Sequence, residues 1–176
     1  RQLCDHILAV NVELCRAVVR SGVDFLFLGG PGREMMSPEL YERYMVPDSQ
    51  VISQTVHDAG ALIYSHICSP VQPFLDMGYY GKMGIDLFET LSPPPVGNVE
   101  SLGLARAVLP HEMCTRGNLG LDVLLNSTPV QIEQKTLEII EATRGYKHMI
   151  AASDYLFYDI SLENVQAMMH AVNECC

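Results

Sequence analysis

No apolar run in this sequence approaches the ~20 residues that a membrane-spanning helix needs, so a helical membrane span is not expected. The N-terminus does not read as a secretion signal, because Asp5, His6 and Glu13 interrupt its apolar residues. Positive charge is scarce: 11 Lys and Arg stand against 21 Asp and Glu, for a net charge of −10, and no basic run gathers what there is. Proteins that grip nucleic acid or an anionic membrane concentrate positive charge on one face, so neither is expected as a partner. A phosphate-binding loop is missing too. Gly29-Gly30-Pro31-Gly32 has neither GxGxxG spacing nor a GKS/T ending and reads as a flexible turn. The six cysteines include no CxxC pair. Without a secretion signal they do not suggest a disulfide scaffold, and a reduced, cytoplasmic compartment is expected. Cys4 and Cys15 read as small apolar helix residues, and no chemistry is read into Cys175-Cys176. An initiator methionine is also lacking. The chain opens at Arg1 already inside an expected helix, as a fragment would.

What is present is enough for one domain. The 176 residues are 48% hydrophobic and 18% charged, values of a globular chain with a sizeable core. Residues 3–20 carry Ile7, Leu8, Cys15, Val18 and Val19 at helical spacing. Ser21-Gly22 ends that helix, and an apolar strand follows over 23–28, of the kind a parallel sheet covered by helices requires. Ser37 reads as an N-cap with Pro38 at the first helical position. This second helix is expected to run towards Asp58, kinked at Pro47, and to stop at Gly60. Gly60 leads into a strand over 61–66, Gly84 into one over 85–89, and Gly145 into one over 146–152. A fifth strand, 113–116, is entered through Leu109-Pro110. Thr128-Pro129-Val130-Gln131 is a capping-box start. Ser161 caps a last helix whose Val165, Met168, Met169 and Val172 share a face. Strands alternating with helices across short turns predict an α/β fold with parallel strands. Polar residues cluster after the strands, where such folds bind ligands. With no dinucleotide fingerprint, a barrel is favoured over an open sheet. Five βα units are too few for the eight of a (β/α)8 TIM barrel, which takes ~250 residues.

The stretch of greatest chemical interest is Ala61–Pro70. His66 and Cys68 stand two apart at a strand end, and i and i+2 side chains of a strand project to the same side. Imidazole and thiolate suit a soft or borderline metal such as zinc. The plainer alternative is a pair of inward-facing residues with no metal. Several blocks then resemble, in order, the C-terminal half of the uroporphyrinogen decarboxylase (URO-D) superfamily. These are Ser37-Pro38-Glu39-Leu40-Tyr41 with Val46-Pro47, His57-Asp58-Ala59-Gly60, His66-Ile67-Cys68, Leu91-Ser92-Pro93-Pro94-Pro95-Val96-Gly97-Asn98, Arg116-Gly117-Asn118-Leu119, Ser127-Thr128-Pro129 and Leu162-Glu163-Asn164-Val165.

The resemblance implies that residues 1–176 form a single partial barrel, roughly the C-terminal four to five βα units of a (β/α)8 fold. It also implies one of two activities. Uroporphyrinogen decarboxylases remove carboxylates from a tetrapyrrole without a cofactor. The similar methylcobamide:thiol methyltransferases use zinc to activate a thiol that takes a methyl group from a corrinoid. Their ligands are a His-x-Cys pair and a later cysteine. His66 and Cys68 match the pair, while Asp154 stands about where the later cysteine should be and Cys114 is a fallback. The decarboxylase reading fits less well, since its substrate-gripping arginines and central aspartate belong to the N-terminal half. Its late histidine would also fall near Asp154. A third reading is a catalytically silent relative.

Glu89 could orient a metal-bound histidine or accept a substrate proton. Arg116 and Asn118 could grip a substrate carboxylate or amide, or Arg116 could form a salt bridge across the barrel mouth. Tyr155, Phe157 and Tyr158 could wall a pocket for a flat ring. His6, His57, His111, His148 and His170 are given no role. A small thiol or a tetrapyrrole is the expected substrate, with a corrinoid protein as a partner of the methyl transfer. A partial barrel exposes sheet edges and helix faces that must be covered, by self-association or by an N-terminal half-barrel.

Overall fold

The computed structural model describes residues 2–156 and 159–175. Helix α1 (Gln2–Arg20) leads into β1 (Phe25–Gly29). Next come a single turn, α2 (Pro38–Leu40), a wide π turn (Tyr41–Met45) and α3 (Val46–Asp58), which leads to β2 (Leu62–His66). Two short helices, α4 (Gln72–Asp76) and α5 (Tyr79–Lys82), precede β3 (Leu87–Glu89), and α6 (Leu102–Ala107) precedes β4 (Cys114–Leu119). The chain continues through α7 (Leu121–Asn126), α8 (Pro129–Ala142), β5 (His148–Ala152) and α9 (Leu162–Cys175). The five strands are parallel and lie in chain order, β1-β2-β3-β4-β5. This is a partial TIM-barrel-type α/β fold.

Local chemistry explains most boundaries. Gly22, Gly60, Gly84 and Gly145 all have φ between 74° and 97°, so each ends a helix in the left-handed region that glycine enters freely. The junction before β4 has no such glycine. There the fully buried Arg106 donates to the carbonyls of Leu109, Pro110, His111 and Met113 and lies 4.5 Å from the Tyr146 ring centroid. The guanidinium thus satisfies the carbonyls that an irregular turn leaves unpaired. Thr128 and Gln131 form the expected capping box, and Ser37 and Ser161 accept from Leu40 and Asn164 N–H.

Some expectations are corrected. The helical irregularity falls at Tyr41–Met45 rather than at Pro47. The wide turn takes up the misfit just before a residue with no N–H to donate. Strand β4 continues to Leu119, because Arg116 to Leu119 pair with Met149 to Ala152 despite the glycine and asparagine in between. The deeply buried residues of α9 are Asn164 and Ala171, one position away from the expected stripe. The Asn164 side chain donates to the carbonyls of Leu124 and Ser127 at the end of α7, so an amide docks the helix. In α1, Ile7 points outward with Leu3, Val10 and Leu14, while Cys15 and Val19 are buried.

The core lies between the helices and the outer sheet face. Ile63 and Phe88 are fully buried there, Tyr80 stacks on Phe88 at 4.3 Å, and Tyr41 stacks on Phe74 at 4.2 Å. The other sheet face differs from the expectation of strands covered on both sides. Phe25, Phe27, Leu62 and Met149 are 44–53% exposed, because no further strands among the described residues curl round to cover them. Register sets the rows on this face. Phe27, Tyr64, Leu87 and Cys114 form one row, and Gly29, His66, Glu89 and Arg116 form the next, at the C-terminal strand ends.

Candidate metal centre

His66, Glu89 and Arg116 come from three adjacent strands, yet they sit side by side because the register puts them in one row. His66 Nδ1 lies 2.9 Å from Glu89 Oε1, and Arg116 Nη1 donates to Glu89 Oε2. Glu89 is only 8% exposed, so both of its oxygens are committed away from bulk water. A carboxylate accepting from Nδ1–H fixes the imidazole tautomer and leaves Nε2 with a free lone pair. That nitrogen lies 3.8 Å from Asp154 Oδ1.

Cys68 lies beyond the end of β2, but the in–out alternation persists. Ile67 is buried against the helix layer, with its N–H donating to the Glu89 carbonyl at 3.0 Å, while Cys68 is exposed on the His66 side. One ligand atom each from His66, Cys68 and Asp154 lie within 4.8 Å of one another. A tetrahedral zinc with bonds of ~2.0–2.3 Å needs donor separations of roughly 3.3–3.8 Å, so small side-chain rotations suffice. Burial, and next the negative charge of Asp154, push the Cys68 thiol above its ordinary pKa, with Glu34 adding to the effect. A bound cation would reverse that balance and favour the thiolate. Nitrogen, sulfur and oxygen donors with two formal negative charges fit a divalent zinc.

The remaining expected residues divide. Tyr155 is 82% exposed, with its ring centroid 6.3 Å from that of His66. Together with His66, Glu89, Arg116 and Asp154 it lines a cavity of about 780 Å³ whose floor includes Phe27, Tyr64 and Leu87. Asn118 is not part of this lining. Its Nδ2 donates to the Leu91 carbonyl at 2.9 Å, and the residue borders a smaller cavity beside Pro93 and Lys135. Cys114 stands one row below the His66 row, and its thiol is directed at the Thr115 carbonyl. Phe157 and Tyr158 lie outside the described residues. Glu34 escaped the sequence reading, which treated 29–32 as a plain turn. The turn in fact folds over the β2 exit, where Arg33 N–H donates to the Pro70 carbonyl at 3.0 Å. The available signal was Gly32: a Cβ there would stand 2.0 Å from Ser69 Oγ.

The family model for uroporphyrinogen decarboxylase (URO-D) matches residues 1–175. The chain belongs to the URO-D family. Among solved structures, a methyltransferase from Methanosarcina mazei superposes with a TM-score of 0.77 at 20% identity, covering 96% of this chain and 47% of that one. At that identity the likeness shows the fold alone. The chain therefore spans about half the length of this methyltransferase. No curated protein matches the sequence. Among the described residues no helix is long and apolar enough to cross a membrane.

Proposed function

We propose that this chain carries the metal-binding part of a zinc-dependent methyltransferase that moves a methyl group from a corrinoid, presented by a corrinoid protein, to a thiol. The reading is supported above all by the convergence of His66, Cys68 and Asp154 at the C-terminal strand ends, with Glu89 on the far nitrogen of His66. These three residues would hold the zinc. When bound, zinc supplies a positive centre that keeps an acceptor thiol deprotonated at neutral pH. Glu89 holds His66 in the tautomer that presents Nε2. Arg116 holds Glu89 and, with its side chain 43% exposed, offers its remaining N–H groups to an anionic part of the substrate. The apolar floor receives the body of the substrate, and Tyr155 walls it beside His66. A reducing, cytoplasmic setting goes with this proposal, because the Cys68 thiol must stay free. The open sheet face would be covered by further βα units or a second copy.

Elemental analysis of the purified protein is expected to find zinc near one equivalent, lost in His66→Ala and in Cys68→Ser. A metal-free protein that binds porphyrinogens would overturn the proposal in favour of a decarboxylase.

A further inference from the structure

The two acids that flank His66 leave strands that are not neighbours. Glu89 ends β3 and Asp154 follows β5, with β4 between them. Thr90, Ser92 and Ser153 are each at most 1% exposed, and they bridge this gap. Ser92 Oγ donates to the Ser153 carbonyl at 3.2 Å and is also hydrogen-bonded to Thr90 Oγ1. A serine hydroxyl has one proton. With that proton given to Ser153, the Thr90 hydroxyl must be the donor to Ser92. The chain Thr90 → Ser92 → Ser153 therefore has one direction. It starts at the residue after Glu89 and ends at the residue before Asp154. Ser153 N–H in turn donates to the Leu119 carbonyl at 2.8 Å, fixing the same residue to the end of β4.

The backbone of Thr90 and Ser92 is closely packed. A Cβ on Gly97 would stand 2.2 Å from the Ser92 carbonyl oxygen, and one on Gly117 would stand 2.4 Å from that of Thr90. Backbone thus closes on both residues where any side chain would collide.

We propose that Ser92 is a positioning residue for the candidate metal centre, its hydroxyl setting the backbone that carries Asp154 against the strand end that carries Glu89. The proposal rests on the metal reading above. Glu89 needs no such help, since His66 and Arg116 hold it directly. Asp154 is held less firmly: its Oδ1 accepts from Tyr155 N–H within its own loop, and its other contacts are the candidate ligands themselves, His66 Nε2 at 3.8 Å and the Cys68 thiol. Loss of the Ser92 hydroxyl removes one of the two hydrogen bonds that hold Ser153 and lets the carboxylate shift from the Nε2 side of His66. The cost then falls on metal affinity through Asp154 alone.

The test is a cobalt(II) titration of the 176-residue chain, read by the thiolate-to-cobalt absorption band. It uses Ser92→Ala, Asp154→Asn and the double variant, with melting temperatures recorded alongside. Ser92→Ala is expected to weaken cobalt binding about 10- to 100-fold, the range found for residues that orient ligands. In the Asp154→Asn background the same change is expected to cost no more than about twofold, because coupled residues are not additive. Equal losses in both backgrounds, or no loss in a wild-type chain that binds cobalt, overturn the proposal. A wild-type chain that takes up no cobalt overturns the metal reading itself, and the positioning role with it. If Ser92→Ala does not fold, Thr90→Val removes the donor that orients Ser92 while keeping its shape, and it is held to the same two criteria.

Discussion

At the scale of single residues, burial and hydrogen bonding assign distinct duties to the two histidines carried on strands, His66 in β2 and His148 in β5. His66 keeps one nitrogen for Glu89 and the other for the cavity. Replacing Glu89 with Gln removes the charge that holds Nδ1–H, and zinc affinity is expected to fall about 10- to 100-fold in a competition titration while the fold survives. His148 is spent internally, with Nδ1 2.8 Å from Thr115 Oγ1 and Nε2 2.9 Å from the Gly117 carbonyl. Burial lowers its pKa, the Gly117 hydrogen bond acts against this, and Arg106 lowers it further. The sign follows by linkage. Above the unfolded-state value of ~6.5 both states hold the imidazole neutral, and below it the unfolded state takes up a proton that the folded state resists. Stability is therefore expected to drop as pH falls from 7 towards 5. Thermal melts of His148→Gln should show a shallower drop over that range. At this scale the sequence was partly legible. The His66–Cys68 spacing pointed to the pair that the candidate centre contains, but the Glu89–Arg116 and Ser92–Ser153 contacts join residues 27 and 61 apart, and local pattern does not show such pairs.

At the scale of elements, punctuation was the most readable feature. Glycines with positive φ, the Thr128 box and the serine caps all stand where the sequence placed them, because each is a local solution to a local backbone problem. The misreadings occurred where a distant partner decides. Strand β4 is extended through Gly117 and Asn118 by its pairing with β5, and α9 is turned by the carbonyls that Asn164 meets on α7. Arg106 is the most exposed to test. Arg106→Met keeps much of the bulk but strands four carbonyl contacts, so the chain is expected to lose about 3 kcal/mol or more in urea unfolding. Thr128→Ala, which removes one cap, is expected to cost only ~1 kcal/mol in the same assay.

At the scale of the whole molecule, the parallel order was legible from the repeated helix-glycine-strand grammar, as was the gathering of polar residues at the C-terminal strand ends. The bare inner face was not anticipated; counting units led only to the expectation of exposed sheet edges and helix faces. Its apolar rings, together with the outward stripe Leu3, Ile7, Val10 and Leu14 on α1, are exposed apolar surface of the kind that an association covers. Sedimentation velocity is expected to show concentration-dependent association, reduced by Phe27→Ser with Ile7→Ser. A single species of monomer mass across the micromolar range would count against it.

The row of His66, Glu89 and Arg116 couples the chemistry to the sheet in a further way. Each member is one step along its own strand, so deleting a single residue early in β2, β3 or β4 would swing that member to the helix side and dismantle the trio, whatever the loops did. Loops around such a rim can lengthen, shorten and change composition without disturbing it. A lineage of these proteins could thus vary its rim while this trio stays locked to the strand count.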